Sequence, residues 1–207
     1  AQYQVASKAD PVVSAMAMNV MYVGVDNPIS VSVPGYKPDD VQPSLGGGGS
    51  IKKGKYEKKD CYIARVTKSG SKIRVNLSLT EKDGKKTQVK GPEFRVKRVP
   101  DPVFTLGNKY KGGKIPAGKF RVQKGIVPKL ENFDFKFRYK TQSFEMVYIP
   151  KGRDAIVIKG AGQAFSKDVI QYIKRAKPKD NFFFSNTKVK GDDNSVRKLP
   201  TTAFQII

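Results

Sequence analysis

The chain contains no histidine, only one cysteine, and fewer than half as many acidic residues (18) as basic ones (40) among its 207 positions. Histidine titrates near neutral pH without help. Its absence removes the commonest general base and the commonest metal ligand together. The lone cysteine, Cys61, has no internal disulfide partner. With no histidine to activate it, it is expected to be buried and structural, which an oxidising compartment tolerates. Clustered metal-ligand spacings and a P-loop are both missing. Gly160-Ala161-Gly162 runs on into Gln163-Ala164-Phe165. The third glycine of a dinucleotide fingerprint is therefore absent, and the stretch reads as a strand-to-helix turn. Carboxylate pairs for glycoside hydrolysis meet only in space, but the few acids here lie mostly beside turns or lysines. These absences point away from an enzyme, and no cofactor or metal is expected. There is no signal peptide and no apolar run of the roughly 18 residues that a membrane helix needs. The chain begins Ala-Gln-Tyr, without Met, and is expected to be a fragment or mature form of a longer protein.

Apolar residues make up 38% of the chain, enough for packed cores and too much for a disordered polymer. Thirteen prolines and 19 glycines punctuate it, which favours strands and turns over long helices. The formal net charge is +22. It is spread unevenly: residues 1–50 carry 2 basic and 4 acidic side chains, residues 51–100 carry 16 and 5, and residues 101–207 carry 22 and 9. A nucleic-acid arm would concentrate its charge in one tail. Long-range attraction for something acidic follows all the same, so a polyanion-binding module for nucleic acid or envelope polymer is the alternative reading.

The segment Asp10 to Pro34 reads as two strands. Val12 to Val25 is almost wholly apolar or small, Asp26-Asn27-Pro28 makes a turn, and Ile29, Val31 and Val33 alternate with Ser30 and Ser32. The four glycines Gly46 to Gly49 read as a flexible loop tip, with close approach of another backbone as the alternative. Hairpins are expected next. Tyr62, Ala64 and Val66 lead into Ser69-Gly70, Ile73 to Leu79 lead out, and Asp83-Gly84 is a hairpin turn signal. Val89, Phe94, Val96 and Val99 complete the set. About seven short strands in some 100 residues predict an immunoglobulin-like β-sandwich.

Arg95 to Pro102 reads Arg-Val-Lys-Arg-Val-Pro-Asp-Pro. Two prolines one residue apart restrict φ and forbid helix, giving a stiff hinge between domains at Arg98, Pro100, Asp101 and Pro102. The expected division is a sandwich over 1–99, a Pro-rich hinge over 100–102, and a smaller α+β domain over 103–207. In the second domain Phe133, Phe135, Phe137 and Tyr139 alternate with Asp134, Lys136, Arg138 and Lys140, predicting a strand. Strict alternation puts aromatics and lysines on opposite faces, which argues against one mixed base-stacking surface, so no specific nucleic acid is expected. Phe144 to Tyr148 and Ala155 to Ile158 read as further strands. Ser166 is the cap of one helix over roughly Lys167 to Lys177. Asp168 lies in its first turn, Lys174, Arg175 and Lys177 in its last, and Val169, Ile170, Ile173 and Ala176 form its apolar stripe. Strands at Phe182–Phe184, Lys188–Lys190 and Ala203–Ile207 finish a sheet with one helix against it.

The stretch Met18-Asn19-Val20-Met21-Tyr22-Val23-Gly24-Val25-Asp26-Asn27-Pro28-Ile29-Ser30 follows Pro11-Val12-Val13-Ser14-Ala15. Val33-Pro34-Gly35, the glycine run, Phe94 to Pro102, Asn132-Phe133-Asp134 and Arg197-Lys198-Leu199-Pro200 come after it. Together these resemble the C-terminal periplasmic domains of the GldM/PorM family of type IX secretion and gliding-motility proteins, over nearly the whole chain, with the PorM branch favoured. The resemblance implies an inner-membrane anchor outside this chain, a homodimeric periplasmic arm, and a GldL/PorL-like motor partner in the membrane. It also implies contact between the distal end and an outer-membrane-associated ring of the PorK/PorN or GldK/GldN type. It implies no catalytic residue. On this reading the chain is a structural linker transmitting motion or force, and Lys188, Lys190, Arg197 and Lys198 are the candidate partner-binding residues.

Overall fold

The computed structural model describes residues 12–15 and 19–207. Residues 1–11 and 16–18 lie outside it, and with them the beginning of the expected Asp10–Pro34 pair and part of its first strand. The described residues form two compact units, one of those up to Val99 with 134–136, the other of 100–133 with 137–207.

The first unit is built from eight described strands: β1 Val12–Ala15, β2 Val20–Tyr22, β3 Asn27–Ser32, β4 Val41–Gly46, β5 Gly49–Tyr56, β6 Lys59–Val66, β7 Lys72–Thr80 and β8 Lys86–Lys97. They make two four-stranded sheets, ordered β1-β3-β6-β5 and β2-β8-β7-β4. Alternation along β7 explains why: Ile73, Val75, Leu77 and Leu79 are buried while the residues between them are not. These side chains join Ile29, Ala64, Val66, Phe94 and Val96 in one core, as a β-sandwich requires. Asn27 is 2% exposed and stitches the turn before it. Its Oδ1 accepts from the Tyr22 N–H at 2.7 Å, and its Nδ2 lies 3.0–3.1 Å from the carbonyls of Tyr22, Val25 and Ala64.

Two expectations change here. The four glycines are an ordered corner: Gly47 and Gly48 turn the chain with φ of 105° and 103°, carrying it from one sheet to the other. A Cβ on Gly49 would sit 2.5 Å from the Arg65 carbonyl oxygen, so close backbone approach is the reason for glycine there. Ser69-Gly70 likewise joins β6 to β7 across the two sheets, not within a hairpin. Asp83-Gly84 does close the β7–β8 hairpin, with Gly84 at φ 83°.

The second unit contains β9 Gly113–Ile115, α1 Ala117–Arg121, β10 Tyr139–Ile149, β11 Ile156–Ala161, α2 Lys167–Lys174, β12 Asn181–Gly191, β13 Val196–Lys198 and β14 Thr202–Ile206. Its sheet runs β11-β10-β12-β14-β9, with β13 paired to β12. The core is aromatic. Phe182 stacks on Tyr148 (4.5 Å between centroids, 13°), Phe184 on Phe165 (5.9 Å, 12°), and Phe120 of α1 packs on Phe182 at 4.5 Å. Ser166 caps α2 by accepting from the Val169 N–H. The helix ends at Lys174, earlier than expected, because the Arg175 N–H already turns back to Ile173 and Tyr172. The short helix α1 was not legible from periodicity, since five residues carry less than two turns.

The expected strand at Phe133–Lys140 is overturned in most of its length. Burial alternates along it, but the ladder begins only at Tyr139. Asn132 takes left-handed backbone (φ 52°), and Asp134–Lys136 group with the first unit, so the stretch cannot run continuously along the second unit's sheet. Cys61 is also a correction: it lies half-buried in β6, and partial burial pushes its thiol above the ordinary value.

Candidate functional site

The helices and the aromatic core occupy one face of the second unit's sheet. The parity of each strand decides what the other face carries. On β12, Phe182, Phe184, Thr187 and Val189 are buried, while Lys188 and Lys190 point the opposite way and are exposed. Register then sets their neighbours. Lys188 pairs with Lys198 of β13, and Lys190 pairs with Lys140 of β10. Residues paired across antiparallel strands hold their Cβ atoms roughly 5 Å apart. Four lysines therefore share one exposed region of three adjacent strands, and none of the four forms an ion pair among the described residues. Like charges placed opposite one another disfavour the fold slightly.

Further along the same face, Val147 pairs with both Val157 and Phe183, and Phe183 with Ala203. Val157 is 60% exposed and Val196, beside the lysines, 56%. The face thus offers a cationic end and an apolar row, the composition of a surface for an acidic partner with some apolar area.

Arg197 does not join this set. It faces the other way from Lys198, pairs with the buried Val189, and is only 18% exposed. Its guanidinium lies 2.5 Å from Asp101 Oδ1 and 5.3 Å from the centre of the Tyr139 ring. The Tyr139 hydroxyl points to the Pro100 carbonyl at 3.4 Å. Burial raises the Tyr139 phenol above its ordinary value, and the Arg197 charge opposes that rise. Pro102 is buried, while Arg98, within the first unit, donates from Nε to Ser69 Oγ at 3.2 Å.

Of the sequence-derived partner-binding residues, the structure thus brings Lys188, Lys190 and Lys198 together and assigns Arg197 to the segment 100–102. Lys140 was missed as a candidate. Its signal was present in the alternation before Tyr139, but only the strand register places it opposite Lys190.

Family models match both halves of the chain. The GldM third domain matches residues 11–97, and the GldM C-terminal domain matches residues 99–207. Nothing among curated proteins matches the sequence. Among solved structures, the fibronectin(III)-like modules of Clostridium thermocellum CbhA align over 95% of this chain and 93% of theirs. At 12% identity and a TM-score of 0.29, that likeness carries no argument. With its third and C-terminal domains matched in order, the chain belongs to the GldM family of gliding-motility and type IX secretion components.

Proposed function

We propose that this chain is the distal part of a dimeric periplasmic arm that passes motion or force from an inner-membrane motor to an outer-membrane-associated ring. On this reading the membrane part, outside the chain, pairs with a GldL/PorL-like partner. The second unit docks on a PorK/PorN- or GldK/GldN-like ring. Family membership supports the setting, since the GldM family is structural.

The observation that carries the docking claim is the four-lysine region made by Lys140, Lys188, Lys190 and Lys198. A surface that holds like charges opposite one another loses a little stability and gains attraction for an acidic partner. The hinge is part of the same proposal. Arg98 is held within the first unit and Pro100–Pro102 within the second. The first change of body along the chain then falls at the Val99–Pro100 bond, where proline fixes φ, before residues 134–136 rejoin the first unit.

The test is capture of purified ring proteins by the 207-residue chain at about 0.15 M ionic strength, where the screening length is about 8 Å. Replacing Lys188, Lys190 and Lys198 with Glu is expected to abolish capture. Unchanged capture by that variant removes the docking face. No capture by the parent chain removes the ring role altogether.

A further inference from the structure

At the other end of β10, the second unit carries an open groove of about 1340 Å³. One wall is the loop after β10, with Lys151, Arg153 and Asp154; the opposite wall is the end of α2, with Tyr172, Lys174, Arg175 and Lys177. Arg121 of α1 also reaches it and donates from Nε and Nη2 to the Ala176 carbonyl, at 2.9 and 2.5 Å.

One buried carboxylate holds the two walls in register. Asp180, 4% exposed, accepts from the Lys151 N–H at 3.0 Å, the Lys177 N–H at 2.9 Å and the Tyr148 hydroxyl at 2.9 Å. Its charge is met by three donors and is withdrawn from solvent. That leaves Asp154 as the one exposed acid among six cations. The chain as a whole has 40 cations to 18 acids, so the groove's exposed charges are more one-sided than the chain's composition. None of the six forms an ion pair among the described residues.

Helix-end electrostatics account for Lys174, Arg175 and Lys177, because cations are favoured where a helix exposes its carbonyls. They do not account for Lys151 and Arg153 on a separate loop facing them. The Tyr148 phenol sits between these groups: Arg153 and Arg175 both act to hold its pKa down against burial. Arg175 also lies 6.0 Å from the Tyr172 ring centre, which steadies its guanidinium. A single phosphate would leave most of this volume and most of these charges unused. Arginine forks match phosphate oxygens two at a time.

We propose that this groove binds a small ligand carrying several phosphate groups, clasped by Arg153 and Arg175 from opposite walls with Lys151, Lys174 and Lys177 around it. Asp180 is a positioning residue that sets the spacing of the walls. The site is independent of the docking reading, since it uses different residues. A soluble oligophosphate and a phosphate-bearing lipid headgroup share the chemistry it would recognise.

The experiment titrates the 207-residue chain calorimetrically with tripolyphosphate, and in parallel measures its flotation with phosphatidylcholine vesicles containing phosphatidic acid. Two double variants are compared, Arg153→Gln with Arg175→Gln, and Lys85→Gln with Lys86→Gln where the β7–β8 turn meets β8. Saturable one-to-one binding is expected, weakened about tenfold or more in the arginine variant and less than about twofold in the lysine variant. Equal weakening in both, or binding that never saturates, overturns the site in favour of generic attraction. Flotation lost in the arginine variant assigns the headgroup as a ligand, and flotation unaltered beside lost tripolyphosphate binding assigns the soluble form. Should the double variant unfold, Arg153→Gln alone, on an exposed loop, is expected to weaken binding about threefold, and unchanged binding then overturns the site.

Discussion

Arg197 and Asp101 stand 96 positions apart in sequence and meet at 2.5 Å, tying the first residues of the second unit to β13. The pair is half open: Asp101 is 79% exposed and Arg197 18%. Screening keeps such pairs to roughly 0.2–1 kcal/mol. Arg197 also covers the Tyr139 ring. Arg197→Ala is therefore expected to cost more than Asp101→Asn, about 1–2 kcal/mol against about 0.5 kcal/mol. The coupling from the double variant should stay under about 1 kcal/mol. Chemical denaturation of the four proteins checks this. A larger loss from Asp101→Asn than from Arg197→Ala would show that the pair, and not the packing on Tyr139, dominates.

Gly160, the fifth residue of β11, faces the ring of Phe144. A Cβ there would lie 2.1 Å from Cζ of that ring and about 2.5 Å from its Cε atoms. Phe144 has no room to retreat, because Phe165 and Phe184 pack on it at 5.6 and 6.0 Å. Gly-to-Ala exchange in a strand ordinarily gains a little stability. Here Gly160→Ala is expected to cost about 1–3 kcal/mol by overpacking. Combined with Phe144→Leu, the cost should be clearly less than the sum of the two, read from thermal unfolding. Simple additivity would place the strain elsewhere.

This glycine shows where sequence reading stopped. Gly160-Ala161-Gly162 reads as a turn from strand to helix, yet its first two residues are the end of β11 and only Gly162 lies after it. The demand for glycine at 160, however, comes from a ring 16 positions away. Signals whose cause is local were legible: Ser166 caps α2, and Asp83-Gly84 closes a hairpin. Signals that depend on a partner strand were not. The alternation at Phe133–Tyr139 showed two faces but could not show that no ladder forms before Tyr139. Ser69-Gly70 marked a turn but could not show that the chain changes sheet there. The lysine region is half of each kind. Lys188, Lys190 and Lys198 stand out as charges in sequence, whereas Lys140 joins them, and Arg197 leaves them, only through register and strand parity.

Tyr148 gives the second unit a predictable alkaline limit. Burial first, then the hydrogen bond to Asp180, pushes its phenol from 10.0 to about 12. The folded state thus holds the proton more tightly than the unfolded state. Its contribution is fully present below pH 10 and is lost as pH rises from 10 through about 12. Tyr148→Phe is expected to be about 1 kcal/mol less stable near neutrality, from the lost hydrogen bond. The gap between parent and variant should then narrow across that alkaline window. Denaturation midpoints of the two proteins from pH 8 to pH 12 check it. A gap that stays constant would mean that the phenol is no better protected in the fold than in the unfolded chain.

Pro100 is the residue at which the proposed stiff hinge can be tested without disturbing its surroundings. It is exposed, and the bond it receives from the Tyr139 hydroxyl goes to the main-chain carbonyl that any residue retains. Pro102 is buried, so changing it would mix backbone freedom with lost packing. Pro100→Gly therefore removes the φ restriction and little else. The expected result is a broader distribution of distances between spin labels, one on each unit, with the unfolding transitions of both units unmoved. If the distribution keeps its width, proline is not what stiffens the junction. The bonds of Arg98 to Ser69 and of Asp101 to Arg197, on either side of it, would then be the next restraints to remove.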